Sequence, residues 1–297
     1  MTIPDKEGGG RVRLHFCMTS LKQFLTATLG IPYQYILKCP KTLAQDNVNY
    51  WKAAFADKDI LIRARMRGEA SYARGVLSAT YGKIDNTPIV RMIDDVTKGA
   101  DLNVWRYDMP DDSFHMKLLF PEHVNMGTKV EADNVHLGLH LGSSEVGKRL
   151  FTLDVMTFRL ICTNGAIALV NGERLVKYSH RGDISMVDVG DTVRSKIDEV
   201  LKGRGKIFGQ MESTKTQKLA NIFDEARQVW DKFGIRKEFR DIAFELLTQK
   251  YPGGTRWDLI NAMTELAQSL ADEPDVRVKI EEAAGQYMLM DKPLLVA

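Results

Sequence analysis

Cysteine is scarce in this chain. Cys17, Cys39 and Cys162 stand at wide spacing, and an odd number so placed argues against a disulfide framework and for a reducing compartment. Long apolar runs are missing as well: no stretch of about 18 hydrophobic residues occurs, so no membrane span is expected. The first ten residues are polar and close on three glycines, unlike the apolar core of a signal peptide. Net charge is nearly absent too, with 41 Lys+Arg against 39 Asp+Glu over 297 residues. That balance excludes a supercharged cation and gives no support by itself to a nucleic-acid or membrane partner. What is present is ordinary for a folded protein: 44% hydrophobic and 27% charged residues, in a length that fits about two domains.

The near-zero total hides a patterned distribution. Residues 1–90 carry a balance of +6, 91–133 of −4, 134–182 of +3, 183–200 of −3, 201–218 of +4 and 219–297 of −4. Such asymmetry directs attention to the basic blocks. Residues 47–67 begin with helical spacing and pass, from Ile62, into an alternation that puts Arg63, Arg65 and Arg67 on one strand face. Strand signals follow at residues 104–107 and 114–120, across the turn-rich Asp108-Met109-Pro110-Asp111-Asp112. Residues 134–141 alternate again, with Val135, Leu137, Leu139 and Leu141 opposite His136, Gly138 and His140. A β-favouring run covers 151–163, Asn164-Gly165 supplies a hairpin turn signal, 166–170 reads as the return strand, and Asn171-Gly172 marks a second turn.

From about Asp183 the period becomes helical. Val193, Ile197, Val200 and Leu201 share one face. Leu219, Ile222, Phe223, Ala226, Val229, Trp230 and Phe233 share another, with Gly234 as the stop. Further helices are expected over 237–250, from Thr255 with Asp258 as a capping partner, and from Asp275. The expected fold class is α+β: an antiparallel β-meander with packed helices, followed by a helical C-terminal region. The expected division is a mixed region, 1–182, and a helical region, 183–297.

Signatures of chemistry are weak. Residues 142–149 match a P-loop spacing up to Lys148, but Arg149 stands where a magnesium-binding Ser or Thr belongs and a strand follows instead of a helix, so a tight basic turn is expected. The glycines around Arg204 have one residue too many for a dinucleotide fingerprint. His136 and His140 would sit about 13 Å apart along a strand, too far for one metal ion. Cys162 reads as a buried apolar residue. No catalytic constellation, metal or cofactor is expected.

Basic clusters interleaved with aromatics are the stronger lead. Arg63, Arg65, Arg67 and Arg74 come with Tyr72, Tyr81 and Lys83. Lys148, Arg149 and Arg159 precede Arg174, Lys177, Tyr178 and Arg181. Lys202, Arg204, Lys206, Lys215 and Lys218 flank glycines in an expected loop. Single-strand binders combine a basic groove with stacking aromatics, and these residues are candidates for one. Each cluster taken alone also reads as a solvated face. If the arginine strand is exposed, changing Arg63, Arg65 and Arg67 to Glu should abolish DNA binding without unfolding.

Three blocks carry a family resemblance. Leu77-Ser78, Tyr81 and Asp85-Asn86 resemble the "LS, two residues, Y, then DN" block of a phage- and plasmid-borne family of unknown function, number 932 in its series. Leu141-Gly142-Ser143-Ser144 with Arg159-Leu160-Ile161-Cys162-Thr163-Asn164 is similar to its central block, and Thr255-Arg256-Trp257-Asp258 through Thr264-Glu265 to its C-terminal helix. Asp258 stands where that family has Gly, and His140 where it often has Asn. The resemblance implies a phage, prophage or plasmid gene expressed in a bacterial cytoplasm, and it transfers no catalytic residue. At the level of architecture alone, the layout also resembles the Rad52-like single-strand annealing proteins. These resemblances imply a DNA-recombination protein that binds and anneals single-stranded DNA as a homo-oligomer, alongside host or phage recombination proteins. The alternatives are a phage module that blocks a host defence or replication protein, and an uncharacterised enzyme using His136, His140 or Cys162.

Overall fold

Two sheets divide the strands of the computed structural model, which describes residues 2–4, 11–67, 70–98, 102–127, 133–159, 164–168, 174–182 and 184–295. The first sheet runs β1 (Thr2–Pro4), β2 (Arg11–Phe16), β4 (Ala70–Ser78), β3 (Ile60–Arg67). It is mixed, because β2 pairs parallel to β4 while the other pairs are antiparallel. Between β2 and β3 the chain forms α1 (Met18–Gln23), a π-helical segment (Phe24–Thr28), α2 (Tyr33–Lys38) and α3 (Lys41–Ala54). Phe24, Leu25, Leu29, Ile31 and Val76 make the small core beneath them.

The second sheet is antiparallel throughout: β5 (Asn103–Asp108), β6 (Phe114–Asn125), β7 (Asn134–Ser143) and β8 (Phe151–Arg159) follow one another as a meander. The outer edge of β8 is shared, its start pairing with β10 (Val176–Tyr178) and its end with β9 (Asn164–Ala168). The fold is therefore α+β with an antiparallel meander and a helical C-terminal region, as the patterning implied. Two details differ. Asn164 pairs with Arg159, so Asn164-Gly165 opens the return strand and is not its turn. The strand preceding it ends at Arg159; Cys162 and the Asn171-Gly172 turn lie outside the described residues.

Both faces of this sheet are covered. Alternate residues Phe114, Met116, Leu118, Leu137, Leu139, Leu141, Phe151, Leu153 and Val155 pack with α4 (Asn86–Thr97) and the first half of α5 (Met186–Thr216). On the opposite face Leu119, Met156, Phe158 and Ile167 meet Val278 of α9 (Pro274–Leu289). A Cβ on Gly138 would stand 2.2 Å from the Leu118 carbonyl oxygen, so only glycine lets β6 and β7 close up there.

The helices obey their end signals. Asn221 caps α6 (Ile222–Phe233) and Gly234 ends it at φ 60°. α7 is Glu238–Gln249, and the Thr255–Asp258 capping box opens α8 (Arg256–Ser269). Trp230, Tyr287, Leu259 and Met263 are central in the core that α6–α9 share. One expectation fails: Lys202, Arg204 and Lys206 lie inside α5, not in a loop. Glycines 203, 205 and 209 each cost a helix about 1 kcal/mol relative to alanine. Burial of Val200, Ile207 and Met211 on the same helix offsets that cost.

Candidate functional site

Most of the arginines singled out from the sequence have carboxylate partners within the chain, some of them at the surface. Arg63 is ion-paired with Asp85, Arg65 with Asp111 at 2.7 Å, and Arg74 with Glu145 at 2.7 Å. Lys148 reaches Asp112 at 3.0 Å and Asp275 at 2.6 Å. Arg149 bonds Glu282 at 3.1 Å, Arg159 bonds Asp133 at 2.6 Å, and Arg174 bonds both Asp154 and Glu282. Burial works against ionisation of Glu145, but the Asn86 N–H and Arg74 outweigh it and hold the carboxyl below its usual range. Changing Arg63 and Arg65 to Glu would set new carboxylates against Asp85, Glu145 and Asp111, so it would perturb packing as well as any ligand. The side chain of Arg67 lies outside the described residues.

The remaining nominated residues are scattered. Lys83 and Arg181 are exposed beside the Tyr81–Arg181 bridge, Lys177 is exposed on β10, and Lys202 and Lys206 are exposed on α5, none with an ion pair among the described residues. Arg204 stands 4.0 Å from Glu122. Tyr81 is not a free platform: its ring stacks on His180 at 4.9 Å, its hydroxyl donates to the Ser144 carbonyl, and burial pushes that hydroxyl up to about 12. Tyr72 is exposed beside His15.

A surface that sequence reading passed over meets the requirements better. Neither α2 nor α3 buries a residue, and together with Phe55 they expose Tyr35, Leu37, Leu43, Tyr50 and Trp51. Trp51 stacks on Phe55 at 5.9 Å and meets Tyr50 edge-on at 5.3 Å. Lys38, Lys41 and Lys52 are exposed around these rings and make no ion pair among the described residues. Lys58 lies over the Phe55 ring at 5.7 Å. Asp46, Asp57 and Asp59 keep the net charge of the segment low. The sequence signal was there, in Tyr50-Trp51 and Phe55 among lysines, but helical spacing of aromatics reads first as core.

A second assembly lies in the layer between the meander and α9. His140 and Asp154 are fully buried on β7 and β8. The His140 Nε2 is 3.3 Å from His115 Nδ1, and His115 Nε2 is 2.9 Å from Asp275. Hydrogen bonds from His115 and Lys148 hold the Asp275 carboxyl well below its usual range, so it accepts. His115 therefore carries its proton on Nε2, and its Nδ1 is an acceptor within reach of both His140 Nε2 and Arg149 Nη1, the latter at 3.4 Å. His140 Nδ1 lies 3.9 Å from Asp154 and has no hydrogen-bond partner among the described residues. Burial, with His115 and Arg149 adding, pushes His140 well down, so the ring is neutral. Sequence reading placed His140 with His136, but register across β6 and β7 brings it to His115 instead. One ligand atom each from His140, Asp154 and Glu282 lies within 4.8 Å of the others, the only such group found among the described residues.

Burial raises Asp154 from 3.8 to about 7, with Glu282 adding and Arg174 and Arg149 opposing. A carboxyl raised on folding contributes stability that is complete below 3.8 and lost as the pH rises through about 7. Thermal unfolding of Asp154→Asn against the native chain should show it. The asparagine variant should lack the downward component in Tm between about pH 4 and pH 7. Parallel Tm curves for the two proteins would place the titration elsewhere.

Comparison with protein-family models, with curated proteins and with solved structures gives no match.

Proposed function

We propose that the protein binds single-stranded DNA on the α2–α3 surface and anneals it as a homo-oligomer, in the recombination of a phage or other mobile element within a bacterial cytoplasm. The observation that carries this reading is the set of exposed rings, Tyr35, Tyr50, Trp51 and Phe55, on a segment whose lysines Lys38, Lys41 and Lys52 make no ion pair among the described residues. Each base has a π-face, so ring stacking is tolerant of sequence, and lysines can follow the phosphates while base edges stay free to pair. Annealing requires no nucleophile and no cofactor. Among the described residues no helix is long and apolar enough to cross a membrane.

Filter binding of a labelled single strand in low salt tests the reading. Retention at micromolar protein is expected, and no retention would overturn it. A second reading is favoured by Leu37 and Leu43, apolar residues exposed on the same two helices. These suit a protein partner such as a host defence or replication factor. Capture of a host protein that survives nuclease treatment, together with failure to retain DNA, would favour that reading.

A further inference from the structure

The buried Nδ1 atom of His140 is the starting point. It has no hydrogen-bond partner among the described residues, while the ring's other nitrogen faces His115 at 3.3 Å. A buried ring nitrogen left without a partner is destabilising, so its retention here needs a reason. Asp154 shows the same pattern. Arg174 bonds its Oδ2, and its Oδ1 is buried without a partner among the described residues. Glu282 completes it, because Arg149 and Arg174 both donate to Oε1, and no bond to Oε2 is found among the described residues.

We propose that His140, Asp154 and Glu282 form a binding site for a divalent transition-metal ion, with Arg149, Arg174 and the His115–Asp275 chain as its outer shell. The three side chains are close enough for one ion. Orientation of each ligand through its other atom is how metal sites are built: an imidazole donates its second N–H to a hydrogen-bond chain, and carboxylates are held by donors on their second oxygen. One imidazole with two carboxylates suits Zn²⁺ or Mn²⁺ better than Ca²⁺ or Mg²⁺, which prefer oxygen alone. Three protein ligands leave further coordination positions for water or a ligand. Glu282, Arg149 and Arg174 keep 15%, 18% and 24% of their side chains exposed, so the site has a solvent side. The two guanidinium charges repel a dication and weaken its binding. Gly142 belongs to the same design, since a Cβ there would stand 2.9 Å from Arg149 Nε.

The site does not depend on DNA binding, and its test separates the two. The full chain is dialysed against a chelator and titrated calorimetrically with ZnCl₂ and with MnCl₂. One equivalent is expected to bind, and Glu282→Gln and Asp154→Asn are expected to weaken it about 10–100-fold or more. His136→Gln, on the same strand but bonded to the Phe120 carbonyl oxygen, should bind as the native chain does. Absence of saturable binding, or equal affinity in the folded Glu282 and Asp154 variants, would overturn the proposal. Should the Asp154 variant fail to fold, X-ray absorption on zinc-loaded native protein decides. One imidazole among oxygen donors is expected, whereas two imidazoles, from His115 with His140 or from the His123–His136 pair, would contradict the assignment.

Discussion

Replacing Lys117 by methionine is expected to destabilise the protein by about 3–5 kcal/mol. Lys117 lies on β6, on the sheet face that α9 covers, and its ammonium is 2.5 Å from Glu281 Oε1. The two side chains are 3% and 0% exposed. Methionine matches the lysine stem in length and packing, so the cost isolates the charge: Glu281 stays buried as an unmatched carboxylate. Gln268 donates to the same Oε1 and cannot replace a cation, and Arg277, one turn earlier on α9, is already paired with Asp108. The double variant Lys117→Met with Glu281→Leu removes both charges and should recover most of the loss, because a buried pair is seldom better than well-packed apolar residues. Denaturant unfolding of the three proteins checks this. A double variant as unstable as the sum of the singles would show that the pair has no special coupling.

Trp230→Ala is expected to cost a similar amount, about 3–5 kcal/mol, by a different mechanism. Trp230 is fully buried on α6, in the core where α6–α9 converge. Alanine leaves a cavity in the core that α6–α9 share, and close-packed neighbours relax into such a space only partly. Trp230→Phe keeps most of the volume. The indole N–H makes no hydrogen bond among the described residues, so phenylalanine forfeits no polar contact and should cost far less. Chemical unfolding midpoints of the two variants would separate cavity from polar effects, and equal losses would contradict the cavity account.

What could be read in advance was local. The capping box of α8 needs only Thr255 and Asp258, and the stop at Gly234 needs one residue able to take positive φ, so both are visible in sequence. The alternation of β7 also survives folding, because one face is packed by α4 and α5. Long-range pairings were not legible. Nothing adjacent to Arg63 or Arg74 announces Asp85 or Glu145, and these partners change an apparent phosphate-binding face into internal ion pairs. The His115–His140 contact depends on strand register, and the Lys202–Lys206 segment is helical because its buried neighbours outweigh its glycines. The exposure of α2 and α3 is likewise a tertiary fact, since the same aromatics would serve equally in a core.

Salt-dependent binding of a labelled single strand, by the native chain and by a Lys38→Glu, Lys41→Glu, Lys52→Glu variant, tests the proposed DNA interface most directly. Three phosphate contacts predict a slope of log affinity against log salt of about −2, and the variant should lose retention at micromolar protein while its circular dichroism is unchanged. A folded variant that binds as the native chain does, or a native chain that binds no single strand in low salt, would contradict the assignment of this surface.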